Sequence, residues 1–599
     1  MRNLAEKRAQ ALALKTSLVE ARAEAPEPRK ASNLIRSLVD SLSELGVRNA
    51  FGVSGGAIAL LFDAIEESAV KLHHFRHESG AAFAAAEAYF ATGRPSLVFA
   101  TTGPGALNAL TGMTAAKWDG AKVILITGAT SVAQRGRWAT QETSPYTFPQ
   151  DALYAKGALF DFGVRIESPT EFPEVVRRLA LGLARPGGFV AHVSVPMSVQ
   201  AGRLEQAVDV HHLSSSARPT VPPDEVARLA RLLKSDSFAI WVGFGARGAA
   251  PLVRDLMERS GAHAFASPRA KGVISEGHPQ YLGVSGLGGH TTVNDYMLQH
   301  RPARLLVLGS RLGEATSFWD RDLLPTEEMI HVDIDPEVPG TAFPQSRTIA
   351  VHAEIGAFLT ELVEHFPVRP LQRSGKPPRW QEPTTMRLSG RGPVRPQVLM
   401  EVIQQRVIHG SDAIVLAECG NSFAWCNHYL RFDKPGRYRV STLFGSMGHV
   451  ASGVVGAALA RNGKAWAVVG DGSMLMNSEI SSAAQYQAKA VWIVLNDAGY
   501  GMCRDGQRTL GLSDAQIDFP KVDFASLARS MGAEGVRVET EDMLEVAFQE
   551  AEAAEGPFVI DVSIDPKESS PLLRRFESLI KQGSSKNVPQ QVAGWDLER

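Results

Sequence analysis

A chain of 599 residues is too long for one hydrophobic core, and at roughly 100 to 200 residues per domain three units are expected. Hydrophobic residues at 44% and charged residues at 21% are ordinary globular usage and exclude disorder as the state of the chain away from its ends. Lys plus Arg at 62 against Asp plus Glu at 64 leave a formal charge of -2, with no global field to draw nucleic acid or an anionic membrane, so a small molecule is the expected ligand. Cys419, Cys426 and Cys503 have neither CxxC spacing nor a histidine pair at finger distance, which argues against a disulfide frame or structural zinc and fits the cytoplasm.

Residues 1–30 scatter charge without the continuous apolar run of a secretory signal and read as an exposed helical extension ending near Pro26 and Pro28. From about 31 to 200, helical stretches alternate with short β-rich runs, among them Ser96–Gly105 and Lys122–Thr130, the pattern of parallel strands joined by helical crossovers. A second unit runs from about 222 to 366 and a third from about 394 to 570. The Pro-, Arg- and Ser-rich stretches Ser214–Pro223 and Pro367–Thr385 read as linkers. The predicted class is α/β, with three consecutive doubly wound parallel-sheet domains. Residues 571–599 are assigned to a C-terminal tail, polar from Lys581 onward and expected to fray, with closure over a site through Trp595 as the alternative. No run reaches membrane-spanning length.

In the middle unit Gly243-Phe244-Gly245-Ala246-Arg247-Gly248 formally matches GxGxxG. The strand AHAFASP that follows lacks the acid a nicotinamide ribose requires, which argues against a dehydrogenase. The third unit is more informative. Its apolar runs Ala465–Val469 and Val491–Leu495 stop at Gly470-Asp471-Gly472 and at Asn496-Asp497. Ligands bind at the carboxyl ends of parallel strands, and a crossover of about twenty residues suits neighbouring strands, so Asp471 and Asn496 are expected to converge. A carboxylate plus an amide oxygen suits magnesium, which binds through few protein groups and shares its shell with phosphates, so the metal would clamp a diphosphate.

GDG followed about two dozen residues later by Asn resembles the thiamine-diphosphate-binding motif. The stretch HHFRHESGAAFAAAEAYFATGRPSLVFATTGPGALNALTG resembles the first unit of acetolactate synthase-like enzymes, within the pyruvate oxidase/decarboxylase superfamily. The resemblance covers about residues 33–566. It implies thiamine diphosphate and Mg2+ as cofactors, with the metal held by Asp471, Asn496 and the carbonyl of Ala498. It implies that Glu78 binds N1' of the aminopyrimidine, where a carboxylic acid favours the imino tautomer that takes the thiazolium C2 proton. FGSMGHV gives Met447 as the side chain that bends the cofactor and Gly445 as the acceptor from its 4'-amine. AECGNSFAW gives Gly420, Asn421 and Ser422 as the diphosphate cradle, with Gly472 and Ser473 also at the cofactor. A homodimer or homotetramer is implied, the first unit of one chain facing the third unit of its partner.

Acetolactate synthases hold FAD at the middle unit. The match there is partial, because the acidic-basic pattern beyond Arg311 is not reproduced; the resemblance therefore allows FAD without requiring it, with His290 and Asp333 as contacts or as ordinary turn residues. Simple decarboxylases of the family carry a His-His pair in the loop that here reads GATSVAQRGRWATQETSP, which has no histidine. Gln141 matches a glutamine that faces the cofactor in acetolactate-type enzymes. Gly506 stands where they have a tryptophan narrowing the acceptor pocket, so a larger acceptor is expected. Arg311 matches an arginine near the acceptor carboxylate. The main expectation is a carboligase that decarboxylates a 2-keto acid and adds the acyl anion to a second carbonyl or acyl acceptor. The alternative is a non-ligating decarboxylase or a 2-hydroxyacyl thioester lyase on the same fold. A catalytically silent regulatory protein is disfavoured by the intact Glu78, Asp471 and Asn496.

Overall fold

The computed structural model describes residues 33–204, 208–210, 218–367, 388–476, 479–513 and 516–583. The N-terminal extension, most of the stretch Pro367–Thr385 and the end of the chain with Trp595 lie outside the described residues.

Three six-stranded parallel sheets follow one another along the chain. The first holds β1 (Asn49–Gly52), β2 (Lys71–His74), β3 (Ser96–Ala100), β4 (Lys122–Ala129), β5 (Phe162–Arg165) and β6 (Phe189–Pro196), in the order 2-1-3-4-6-5. The second holds β7 (Phe238–Val242), β8 (His263–Ala266), β9 (Tyr281–Val284), β10 (Arg304–Leu308), β11 (Glu328–Asp333) and β12 (Thr348–His352), in the order 12-11-10-7-8-9. The third holds β13 (Ile414–Ala417), β14 (Tyr438–Val440), β15 (Ala465–Gly470), β16 (Ala490–Asn496), β17 (Glu534–Val538) and β18 (Phe558–Ser563), in the order 14-13-15-16-18-17. The first and third sheets thus share one strand order, while the middle sheet is wound outward in both directions from its β7–β10 pair. The central strands are buried from end to end, which is why they read as continuous apolar runs.

The first and third units pack through two helices, α1 (Glu78–Thr92) and a helix of the third unit, His449–Arg461. Both are rich in Ala and Gly and buried nearly all round, as expected of helices enclosed on every side. Small side chains let the backbones meet: a Cβ on Gly456 would lie 2.0 Å from the Ala84 carbonyl oxygen. A buried ion group closes the same junction. The Glu87 carboxylate accepts from Arg439 Nε and Nη2 (2.9 and 2.8 Å) and sits 3.0 Å from His449 Nε2. Arg439 also stacks 3.7 Å from the Phe90 ring centroid.

The stretch assigned to a tail from 571 instead begins with a helix, Leu573–Gly583. Leu572 and Phe576, four apart, are buried in the core of the third unit, so this segment is part of the packed structure. Among the described residues no helix is long and apolar enough to cross a membrane.

Candidate active site

β15 and β16 pair in parallel with Gly470 opposite Leu495, so Asp471 and Asn496 occupy the next step of adjacent strands. Both side chains are buried. Asp471 Oδ1 accepts from the Gly472 N–H (2.7 Å) and Oδ2 from the Gly499 N–H (3.3 Å). Burial, and then the charge of Asp497, push the Asp471 carboxyl up to about 7. Asn496 Nδ2 donates to Asp561 Oδ1 (2.7 Å) and to the Val522 carbonyl (2.9 Å), which fixes the amide and leaves Oδ1 a buried acceptor without a hydrogen bond. A carboxylate that resists ionisation and an orphaned amide oxygen side by side are a donor set short of a cation. Ala498 has φ +55°, and its carbonyl accepts from the Phe519 N–H (3.0 Å), which leaves one lone pair for a further contact.

Beside this pair the backbone is open. A Cβ on Gly420, Gly445 or Gly470 would meet nothing within 4 Å, and Gly420 and Gly445 hold φ of +91° and +59°, a conformation that favours glycine. Gly420 is the N-cap of α2 (Asn421–Tyr429) and no side chain caps this end, so the helix start at Asn421 and Ser422 suits an anion such as a diphosphate. Met447 reaches to 3.4 Å from a Cβ position on Gly472, and Tyr500 closer still. Ser473 is buried in the turn after β15. The helix His449–Arg461, now α3, is tied to the end of β13 by the buried Glu418, whose Oε2 accepts from the Val450 and Ala451 N–H groups (3.0 and 3.2 Å). This bond sets the loop that carries Gly445 and Met447.

On the first unit, Glu78 opens α1 and is 7% exposed. Asn108 Nδ2 donates to its Oε2 (3.1 Å), and a Cβ on Gly105 would lie 3.1 Å from its Oε1, so the Gly-Pro-Gly turn has to be bare there. Gln141, at φ +56°, comes to the same turn: Thr102 Oγ1 donates to its Oε1 (3.2 Å). Glu142 braces this loop by accepting from the Gly136 and Ala139 N–H groups (2.7 and 3.0 Å). Glu78 and Gln141 therefore form one group and Asp471, Asn496 and Met447 another. Among the described residues of a single chain no hydrogen bond or ion pair joins the two groups.

Three residues fall elsewhere. Arg311 lines a cavity of about 890 Å3 at the middle unit, shared with Gly245, Gly309, Asp333 and Arg269, and its Nη1 donates to the Trp118 carbonyl (2.6 Å). His290 is buried against the third unit, its Nε2 2.9 Å from the His428 carbonyl oxygen, and does not line that cavity. Gly506 lies on α4 (Gly501–Leu510), the helix that follows the loop after β16; a Cβ there would meet the Phe576 ring at 3.3 Å.

Several residues were not picked out from sequence. Asp505 Oδ2 accepts from Asn421 Nδ2 (3.1 Å) and from Ser570 Oγ (2.7 Å), holding the cradle to α4. Arg504 Nη1 donates to Asp497 Oδ2 (2.6 Å), which partly offsets the second carboxylate beside Asp471. Asp561, fully buried inside the apolar run FVIDVS, was the one with a visible signal, since an acid in a central strand needs a partner.

The comparisons agree with this layout. Residues 32–148 match the thiamine pyrophosphate enzyme N-terminal TPP binding domain, 226–362 the central domain and 418–562 the C-terminal TPP binding domain. The acetolactate synthase isozyme 2 large subunit of Escherichia coli (strain K12) is 27% identical over 89% of this chain and 95% of its own. Acetolactate synthases of Mycobacterium bovis and Mycobacterium avium are 28% and 29% identical over 88% of this chain, covering 87% and 86% of theirs. With all three domain models matched in order, the chain belongs to the thiamine pyrophosphate enzyme family.

Proposed function

We propose that the protein is a carboligase that decarboxylates a 2-keto acid of pyruvate type and adds the acyl anion to a second carbonyl or acyl acceptor. The observation that carries this reading is the loop after β4, which brings Gln141 to Thr102 in the Gly-Pro-Gly turn that also meets Glu78, and which has no histidine pair to serve as a proton donor. Thiamine diphosphate, when bound, supplies the carbon nucleophile and electron sink for this chemistry. Asp471, Asn496 and the Ala498 carbonyl would hold Mg2+; Gly420, Asn421, Ser422, Gly472 and Ser473 would receive the diphosphate; Met447 and Gly445 would position the cofactor's rings. Glu78 would meet the aminopyrimidine through its carboxyl group.

The two residue groups become one site in a homodimer or homotetramer. Supporting this, the first unit leaves Trp138 and Tyr146 exposed beside Gln141, and the third leaves Leu475, Met476 and Tyr500 exposed beside Asp471. FAD is not included, since the acidic-basic pattern beyond Arg311 is not reproduced. A cytoplasmic location fits the unpaired cysteines. The test is carbon dioxide release from pyruvate with and without an added aldehyde: release accompanied by a condensed product supports the proposal, and release accompanied only by acetaldehyde rejects it.

A further inference from the structure

The start of α1 is completed by the third unit. His77 is the N-cap of this helix, so Glu78, Ser79 and Gly80 are its first three helical residues. A side-chain acceptor for the N-cap N–H commonly comes from the third of these, as a Glu or Gln that reaches back. Here that residue is Gly80, which has no side chain to offer. The acceptor is instead Glu479, 402 positions along the chain from His77. Its Oε1 accepts from the His77 N–H (3.1 Å) and its Oε2 from the Arg76 N–H (3.1 Å). A Cβ on Gly80 would stand 2.6 Å from Glu479 Oε1, so the missing side chain is what lets the carboxylate lie against the first turn.

The carboxylate is fixed from its own side as well. Glu479 is buried, and Ser482 Oγ donates to its Oε2 (2.5 Å). The helix Ile480–Gln485 that follows it grips the same turn: Arg76 Nε donates to Ser481 Oγ and Arg76 Nη2 to Gln485 Oε1 (both 2.8 Å), and the His74 N–H donates to the Tyr486 hydroxyl (2.6 Å). A negative side chain at a helix N-terminus is also favoured by the helix dipole. Glu78 follows directly on these clasped residues, and Glu479 lies eight residues after Asp471.

We infer that Glu479 is a positioning residue for Glu78, through which the third unit of one chain sets the acid that this chain presents to its partner's site. This rests on the proposed reading, in which Glu78 meets the aminopyrimidine of a cofactor held by the partner. The segment that leaves Asp471 in one site thus ends against the turn that carries the acid of the other.

Glu479→Gln keeps the size of the side chain but turns one of its two acceptors into a donor. In the cofactor-free protein the Arg76 and His77 amides should then exchange faster with deuterium, while the interior of α1 stays protected. In the protein loaded with thiamine diphosphate and magnesium, exchange of the cofactor's C2 proton, read by NMR, should slow by roughly tenfold to a hundredfold, the cost of misplacing a reacting group by about 1 Å. A purely structural loss lowers the melting temperature and leaves this rate in the folded protein unchanged. Ser482→Ala, which frees one carboxylate oxygen from its hydroxyl donor, should slow it less and in the same direction. Mixing Glu479→Gln and Asp471→Ala chains assigns the effect: the cofactor site of a mixed dimer takes Glu78 from the chain with native Glu479, so about half of the bound cofactor should exchange at the native rate. Unchanged amide exchange, or a native C2 rate, in both variants overturns the inference; if Glu479→Gln does not fold, Ser482→Ala decides. A single slow phase in the mixture also overturns it when Glu78→Gln mixed with Asp471→Ala restores a native phase. If that pair restores none, the shared-site reading fails first and removes the inference with it.

Discussion

Magnesium binding should weaken about tenfold between pH 8 and pH 6, about 1.4 kcal/mol, because the metal competes with a proton on Asp471. Burial first, and the charge of Asp497 second, raise this carboxyl to about 7. With that value about ten in eleven carboxyls are ionised at pH 8 and about one in eleven at pH 6, which gives the factor directly. The sign also sets the stability of the metal-free protein. Its folded state binds this proton more tightly than the unfolded chain, so stability falls as pH rises from about 4 through 7, and magnesium restores it. Titration calorimetry with magnesium at pH 6, 7 and 8, in buffers of different ionisation enthalpy, measures both the affinity and the proton released. Asp497→Asn removes the second cause and should move the midpoint to lower pH. An affinity that is flat over this range, with no proton released at pH 6, would refute the reasoning.

Asp561→Ala should weaken metal binding with Asn496 still in place, because the freed amide no longer presents Oδ1; equal affinity in the variant would show that Asp561 does not orient the ligand. Glu78→Gln should retain the cofactor but slow exchange of its C2 proton by roughly 10² to 10⁴, followed by NMR of the bound cofactor, and an unchanged rate would remove Glu78 from this role. Mixing inactive Glu78→Gln and Asp471→Ala chains should recover about a quarter of native activity, because half the dimers are mixed and one of their two sites is intact; no recovery would mean that each site lies within one chain. Purified protein should be colourless near 450 nm and stay so after incubation with FAD, whereas retained flavin absorbance would place FAD in the cavity at Arg311 and Asp333.

What the sequence made legible was set by strand ends. Asp471 and Asn496 interrupt apolar runs, and in a parallel sheet such interruptions fall at one edge, so both the fold and the proposed metal site could be read from spacing. The roles proposed for Glu78 and Gln141 rest on resemblance alone, since nothing local marks a helix-opening acid or a loop glutamine as facing a cofactor. The supporting residues were hidden because their partners are remote in sequence: Asp505 meets Ser570 across 65 positions, and Glu418 meets Val450 across 32. Gly506 carries the clearest lesson. A glycine records only the space its own Cβ leaves, and here a ring 70 positions away comes within 3.3 Å of that position, a contact the sequence does not reveal.

The most direct test of the carboligase account is carbon-13 NMR of the products formed from labelled pyruvate, thiamine diphosphate, magnesium and a panel of small and aromatic carbonyl acceptors, with Asp471→Ala as the control. The account predicts a labelled carbon newly bonded to the acceptor carbon in the native enzyme and no turnover in the control. Labelled acetaldehyde alone, whatever the acceptor, would contradict it.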